Sequence, residues 1–270
     1  MISGNYFIKT LHEHLLFLIF AFILVGIFQL LMITLVVETD MLNVAKIFFS
    51  RFPPQVQQFL GEEFLAQFSV NGAVAFGYNH PIVLIFLAVI AIMLPARHIA
   101  GEIEGGSLEL LLSLPIKRFK LAFSLWILSF LSLLVVIIGG WLGTIIGLMI
   151  YPQISGLPLS IIFRIGLNLW FLMITINAYT FFFSSISREA GKVTQRAAGL
   201  TLFFYFLSYT VKLWDKASFL KPVTIFTYYQ PQALAMNQNL WLKNIVILAV
   251  LVIVFMVIAF RTISRRDIPG

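Results

Sequence analysis

The chain has 270 residues, of which 60% are hydrophobic and only 11% charged. A soluble domain carries about a quarter charged residues, and 28 phenylalanines are more than a water-facing surface hides. The composition therefore excludes a soluble enzyme and indicates an integral membrane protein. The formal charge of +7 does not point to nucleic acid, because the basic residues sit at the ends of apolar runs, where they meet anionic lipid headgroups and set orientation. With no cysteine, disulfides and thiolate metal sites are ruled out.

Crossing the hydrocarbon takes about 20 apolar residues. In chain order the predicted spans are about 15–37, 81–96, 121–150, 161–183, 197–214 and 242–260, an all-α protein of six transmembrane helices in a single transmembrane domain, 1–270. The first run is too long for the apolar core of a signal peptide and lacks an Ala-x-Ala-type site after it, so no cleavable leader is expected. The second run is short because Pro95 and Arg97 follow it. Six crossings put both termini on one side of the membrane.

Lys and Arg decide which side. Segments 1–14, 97–120, 184–196 and 261–270 hold Lys9, Arg97, Lys117, Arg118, Lys120, Arg188, Lys192, Arg196, Arg261, Arg265 and Arg266, eleven in all. Segments 38–80, 151–160 and 215–241 hold four: Lys46, Arg51, Lys216 and Lys221. The positive-inside rule makes the first group, with both termini, cytoplasmic. Outside, residues 38–80 form the largest segment. Val56, Phe59, Leu60, Phe64 and Phe68 share one helical face after Pro53-Pro54, which predicts an interfacial amphipathic helix between spans one and two; a cap packed over the bundle is the alternative.

Within the spans, Gly139, Gly143 and Gly147 recur every four residues. Such a stripe admits close approach of another backbone, either within the monomer or at a subunit interface. Gln29, Asn168, Thr175 and Asn177 are polar residues in apolar runs. They must face other helices or a polar cavity, with interhelical hydrogen bonding the simpler use. Near mid-bilayer no predicted span holds Asp, Glu, Lys, Arg or His, the groups that carry protons or ions in secondary transporters. His12-Glu13-His14 has the wrong spacing for a helical zinc pair and is expected on an interfacial helix, so no metal site is expected. A Walker A loop is missing, since Val193 follows Gly191-Lys192 and Ile186 stands where the earlier glycine belongs. The chain itself is thus not expected to be an enzyme, and if it takes part in powered transport, the power comes from another chain.

The stretch 101–118, GEIEGGSLELLLSLPIKR, falls on the cytoplasmic side between spans two and three. Gly105-Gly106 break what precedes. Ser107 can cap a helix, Glu109 suits its first turn, and Pro115 stops it. Leu108, Leu111 and Leu112 give a short cytosolic helix, about 107–114, one apolar edge fit for a groove on a soluble partner; a membrane-surface turn that merely connects two spans is the alternative.

The segment ARHIAGEIEGGSLELLLSLPIKR (96–118) resembles the signature of ABC-2-type (type 2 exporter) permeases: an acid, an acid-Gly-Gly step, a leucine-rich turn, then small-Pro-x-x-Arg after span two. The match places Glu102, Glu104, Gly105, Gly106, Ser107, Leu111, Leu112, Pro115 and Arg118 on that motif. The tail FRTISRRDI (260–268) is similar to the Phe-x-x-Arg-Asp ending common after span six. The N-terminal elbow departs from the family pattern: Lys9, Glu13 and two histidines stand where Arg-Lys-Glu is frequent.

The resemblance implies a pair of six-span subunits, from a second copy or a related permease, in the inner (plasma) membrane of a bacterial cell. Two cytosolic ABC ATPase subunits would bind beneath, holding the ATP and Mg that this chain does not bind, and 102–118 would couple them to the helices. The expected function is export of a hydrophobic or amphipathic substrate such as a lipid, drug or antibiotic. Service to cofactor or metal-centre maturation, or a non-transporting adaptor or sensor that recruits a cytosolic protein, are the alternatives.

Overall fold

The computed structural model describes residues 4–53, 57, 65, 68–106, 118–152, 158–236 and 241–265. Every regular element among them is helical. The helices are α1 (Gly4–Glu38), α2 (Met41–Ser50), α3 (Val70–Asn79), α4 (Pro81–Pro95), α5 (Arg118–Ile150), α6 (Leu159–Ile186), α7 (Ala190–Leu213), α8 (Pro231–Ala235) and α9 (Trp241–Arg265). A π-helical turn, Ala96–Gly101, and one helical turn, Glu102–Glu104, extend α4. Two 3₁₀ segments, Asp215–Val223 and Ile225–Tyr228, join α7 to α8.

Five columns are long and apolar enough to cross a membrane: Phe7–Glu38, Val70–Glu104, Phe119–Ile150, Leu159–Ile186 and Trp241–Arg265. Two differ from the sequence expectation. The first helix is continuous from Gly4, so the HEH stretch is its N-terminal turns rather than a separate interfacial helix. At 35 residues it reaches roughly 52 Å, well beyond the ~30 Å hydrocarbon thickness. The second column begins at Val70, not at 81, because α3 is buried through Gly72, Ala73, Val74, Ala75, Gly77 and Tyr78. Small residues and Pro81 read as loop in isolation, yet they let α3 sit tightly against its neighbours. The fifth predicted span lies in α7, a helix of 24 residues that is less apolar than the other five.

Of the predicted interfacial helix, Val56, Phe59, Leu60 and Phe64 lie outside the described residues. The amphipathic helix that is described comes earlier. It is α2, which exposes Val44, Ile47 and Phe48 and buries Ala45.

The core is organised around α6, which is buried nearly throughout from Ile161 to Ser185 and touches α4, α5, α7, α8 and α9. Helix α9 lays one stripe on it (Asn244, Leu248, Val252, Met256, Ala259) and leaves Val246, Val250, Ile253 and Val257 outward. The most extensive pairing is α1 with α5. Lipid tails give no hydrophobic drive for helix association, so close packing must supply it. Here the stripe on α5 meets α1 of the same chain. A Cβ at Gly139 would collide with the Phe22 carbonyl, one at Gly143 with the Gly26 carbonyl, and one at Gly147 would stand 2.8 Å from Ile33.

Gly143→Val is expected to cost about 1–3 kcal/mol or more, because backbone atoms rather than a yielding side chain stand in the way. Gly199→Ala on α7, where nothing lies within 4 Å, should be neutral or stabilising by about 0.5–1 kcal/mol. Thermal unfolding of both variants in detergent checks this pair, and equal stabilities would break the α1–α5 account.

Candidate functional site

The site begins with a proline. Pro95 has no N–H, so the carbonyl four residues earlier, that of Ala91, loses its helical donor. In hydrocarbon such a carbonyl needs another partner. Asn177 Nδ2 on α6 donates to Ala91 O at 2.9 Å, and Ser184 Oγ donates to Pro95 O at 3.0 Å. The helix continues past Pro95 through the π turn, a wider turn often found at functional positions. A similar repair occurs where Pro81 divides α3 from α4: Tyr229 Oη donates to Tyr78 O at 3.0 Å, and His80 Nδ1 accepts from Ile82 N–H.

Two of the other polar residues singled out from sequence, Asn168 and Thr175, also join elements, whereas the interhelical hydrogen bond expected for Gln29 is not found among the described residues. Asn168 Nδ2 donates to Tyr228 O at 2.9 Å. Thr175 Oγ1 donates to Phe171 O at 2.8 Å and lies 3.5 Å from Leu248 O on α9. Gln29 is fully buried, has no hydrogen-bond partner among the described residues, and lies against Gly77.

Between α4 and α7, over α6, runs a groove of about 670 Å³. Leu84, Ala88 and Ile92 form one wall, Ala198, Thr201, Leu202 and Tyr205 the other, and Met173 and Ile176 the floor. None of Gln29, Asn168, Thr175 or Asn177 lines it. Its lining is almost wholly apolar, and the hydroxyl of Thr201 is engaged with that of Tyr179. Arg97, Ala190 and Thr194 lie at one end and Phe226 at the other.

The signature glutamates gather at the Arg97 end. Glu104 Oε2 accepts from Ala190 N–H at 2.9 Å. This satisfies one of the orphan donors of the first turn of α7 and places a negative charge where the helix dipole favours it. Glu102 approaches His98 Nδ1 at 3.9 Å. The helix then ends at Gly105 and Gly106. Gly106 has φ of 70°, the left-handed region that glycine enters without a Cβ penalty. Arg118 opens α5; its side chain, with Ser107, Leu108, Glu109, Leu111, Leu112 and Pro115 of the expected docking helix, lies outside the described residues.

The HEH stretch differs from its expectation. His12 faces outward while His14 is buried, and His14 Nε2 meets His98 Nε2 at 2.7 Å. These partners are 84 positions apart, so spacing carried no signal of them. The Glu104–Ala190 bond was equally silent in the sequence.

The five apolar columns describe an integral membrane protein, and a family comparison adds its role. The family described as ABC-2 family transporter protein matches residues 7–268. The chain belongs to that family. None of the curated proteins matches it. The family forms the membrane part of transporters that generally work with an ABC ATPase, so the groove and its polar end are features of a permease.

Asn177→Leu should destabilise this permease by about 1–3 kcal/mol, since it leaves the Ala91 carbonyl buried and unpaired. Pro95→Ala restores an N–H at that level and should recover most of the loss in the double variant. Thermal unfolding in detergent reads the cycle; no recovery would mean that Asn177 does not answer the proline.

Proposed function

We propose that the chain is the permease subunit of an ATP-driven exporter, working as a pair with a second copy or a related permease above two cytosolic ATPase subunits. The observation that carries this reading is the Glu104–Ala190 bond. It ties the segment before the Gly105–Gly106 break to α7, while the chain itself ties that segment to α4. Both walls of the groove are thereby joined at the end that leads into the Gly105–Gly106 break.

In this mechanism ATP draws the ATPases together and the stretch 107–114 receives the movement. The break and the π turn pass it to α4 and α7, so that the groove opens to one side of the membrane and then to the other. Helix α7 acts as the fifth of six spans. Its 24 residues reach about 36 Å, enough for a core of about 30 Å. Its outward Tyr209 and Leu213, which lie outside the groove lining, suit a face covered by the paired permease. Eleven cytoplasmic Lys and Arg against four outside support cytoplasmic termini. The apolar lining with Arg97 at one end favours a hydrophobic or amphipathic substrate whose acidic group, if present, meets the guanidinium.

Co-purification with a cytosolic ABC ATPase, followed by ATP hydrolysis and transport in nanodiscs or vesicles, tests the proposal. Leu111→Asp with Leu112→Asp should abolish assembly or uncouple ATP hydrolysis from transport. Ala198→Trp, which fills the groove, should lower transport at least tenfold while leaving assembly intact. Normal coupling in the first variant would sink the docking assignment, and undiminished transport in the second would sink the groove.

A further inference from the structure

We propose that Glu13, His14 and His98 form a zinc site that clamps the N-terminal turns of α1 to the π turn after α4. Each residue offers one ligand atom, and the three atoms lie within 4.8 Å of one another. The two histidines are almost fully buried and their Nε2 atoms face each other at 2.7 Å. Two ring nitrogens at this distance repel unless one ring carries its hydrogen there, as in an N–H···N bond, or a metal ion sits between them. Zinc held tetrahedrally at 2.0–2.1 Å sets two nitrogen ligands about 3.3 Å apart, so the rings need to separate by only about 0.6 Å, which small side-chain rotations supply.

The donor set and its surroundings suit a borderline divalent metal. Two imidazoles and a carboxylate match zinc chemistry, whereas calcium and magnesium take oxygen ligands, six or more around calcium. Behind His98, the Glu102 carboxylate stands 3.9 Å from Nδ1, too far for a hydrogen bond as it stands but close enough to take that N–H after a small rotation, as the outer partner of a metal-bound histidine does. Arg97 acts electrostatically on both rings, and Lys9 approaches Glu13 at 4.0 Å. Glu13 offsets part of this positive field at His14, and a bound ion must outweigh what Arg97 and Lys9 exert at His98. The Lys9–Glu13 pair is exposed and therefore a weak competitor for the carboxylate. The Glu13 side chain is 40% exposed, which gives an ion a route from water and leaves the fourth position to a water molecule. The π turn makes the site, because it carries His98 on a segment that packs inward. Zinc here ties α1 to the turn that leads into Gly105–Gly106.

The competing account is a plain hydrogen bond between two neutral histidines, which binds no metal. Zinc titration of the untagged protein in nanodiscs against a chromophoric chelator separates the two. One zinc per chain is expected. Binding should weaken more than tenfold in His14→Gln and in His98→Gln and about 10–100-fold in Glu102→Gln, but not in His12→Gln, whose imidazole is outward on the same helix. Added zinc should also raise the melting temperature of the wild type and not of His98→Gln. Should the histidine variants fail to fold, cobalt added to the wild type should give the visible bands of a four-coordinate nitrogen–oxygen site. No zinc uptake by the wild type, equal uptake by a folded His98→Gln chain, or a six-coordinate cobalt spectrum would overturn the proposal.

Discussion

The arrangement depends on how a proline is accommodated inside an apolar helix. Pro95 frees the Ala91 carbonyl, and the membrane provides no water to take it. Asn177 supplies the missing donor from the centre of α6. This single bond fixes the depth of α4 against α6. With Ser184 on the Pro95 carbonyl, it allows the chain to continue into a π turn instead of ending. A buried amide without such a use would be costly in hydrocarbon, so Asn177 and Pro95 make sense only together.

The consequences run along the column. The π turn brings His98 inward to His14 and leaves Arg97 at the end of the groove. One turn later Glu104 reaches the first N–H of α7. The groove is therefore bounded by two helices that are held at one end by a charged bond and separated along most of their length by an apolar gap. Around this, the α1–α5 pair forms a stiff flank. Its glycines bring backbone against backbone, and little can shift there without collision. A firm flank beside a gapped pair is the mechanical contrast that a transporter needs.

Much of this was legible in the chain before folding. The apolar runs of α1, α5, α6 and α9 announce themselves by length, because a membrane span must be long and uninterrupted. The motif around Glu102–Gly106 was visible as a charged, glycine-paired interruption. Where reading failed, the signal was local and weak. Helix α3, rich in glycine and alanine between Ser69 and His80, lacks the hydropathy of a span, and only its burial against α1, α6 and α8 shows its place. The N-terminal HEH stretch looked interfacial because two of its three residues are indeed outward; the third is not.

By itself the sequence determined the membrane class, the approximate placement of the apolar columns, the family motif and the expectation that polar residues in a span take partners, which Gln29 does not do among the described residues. These follow from composition and from the fixed thickness of the bilayer, which act on each segment separately. Only the tertiary structure decided which partner each residue takes: Asn177 for Ala91, Glu104 for Ala190, His14 for His98, and the Gly139–Gly147 stripe for α1. Such pairings join positions tens of residues apart. They depend on the rotation and depth of whole helices, which no local spacing records.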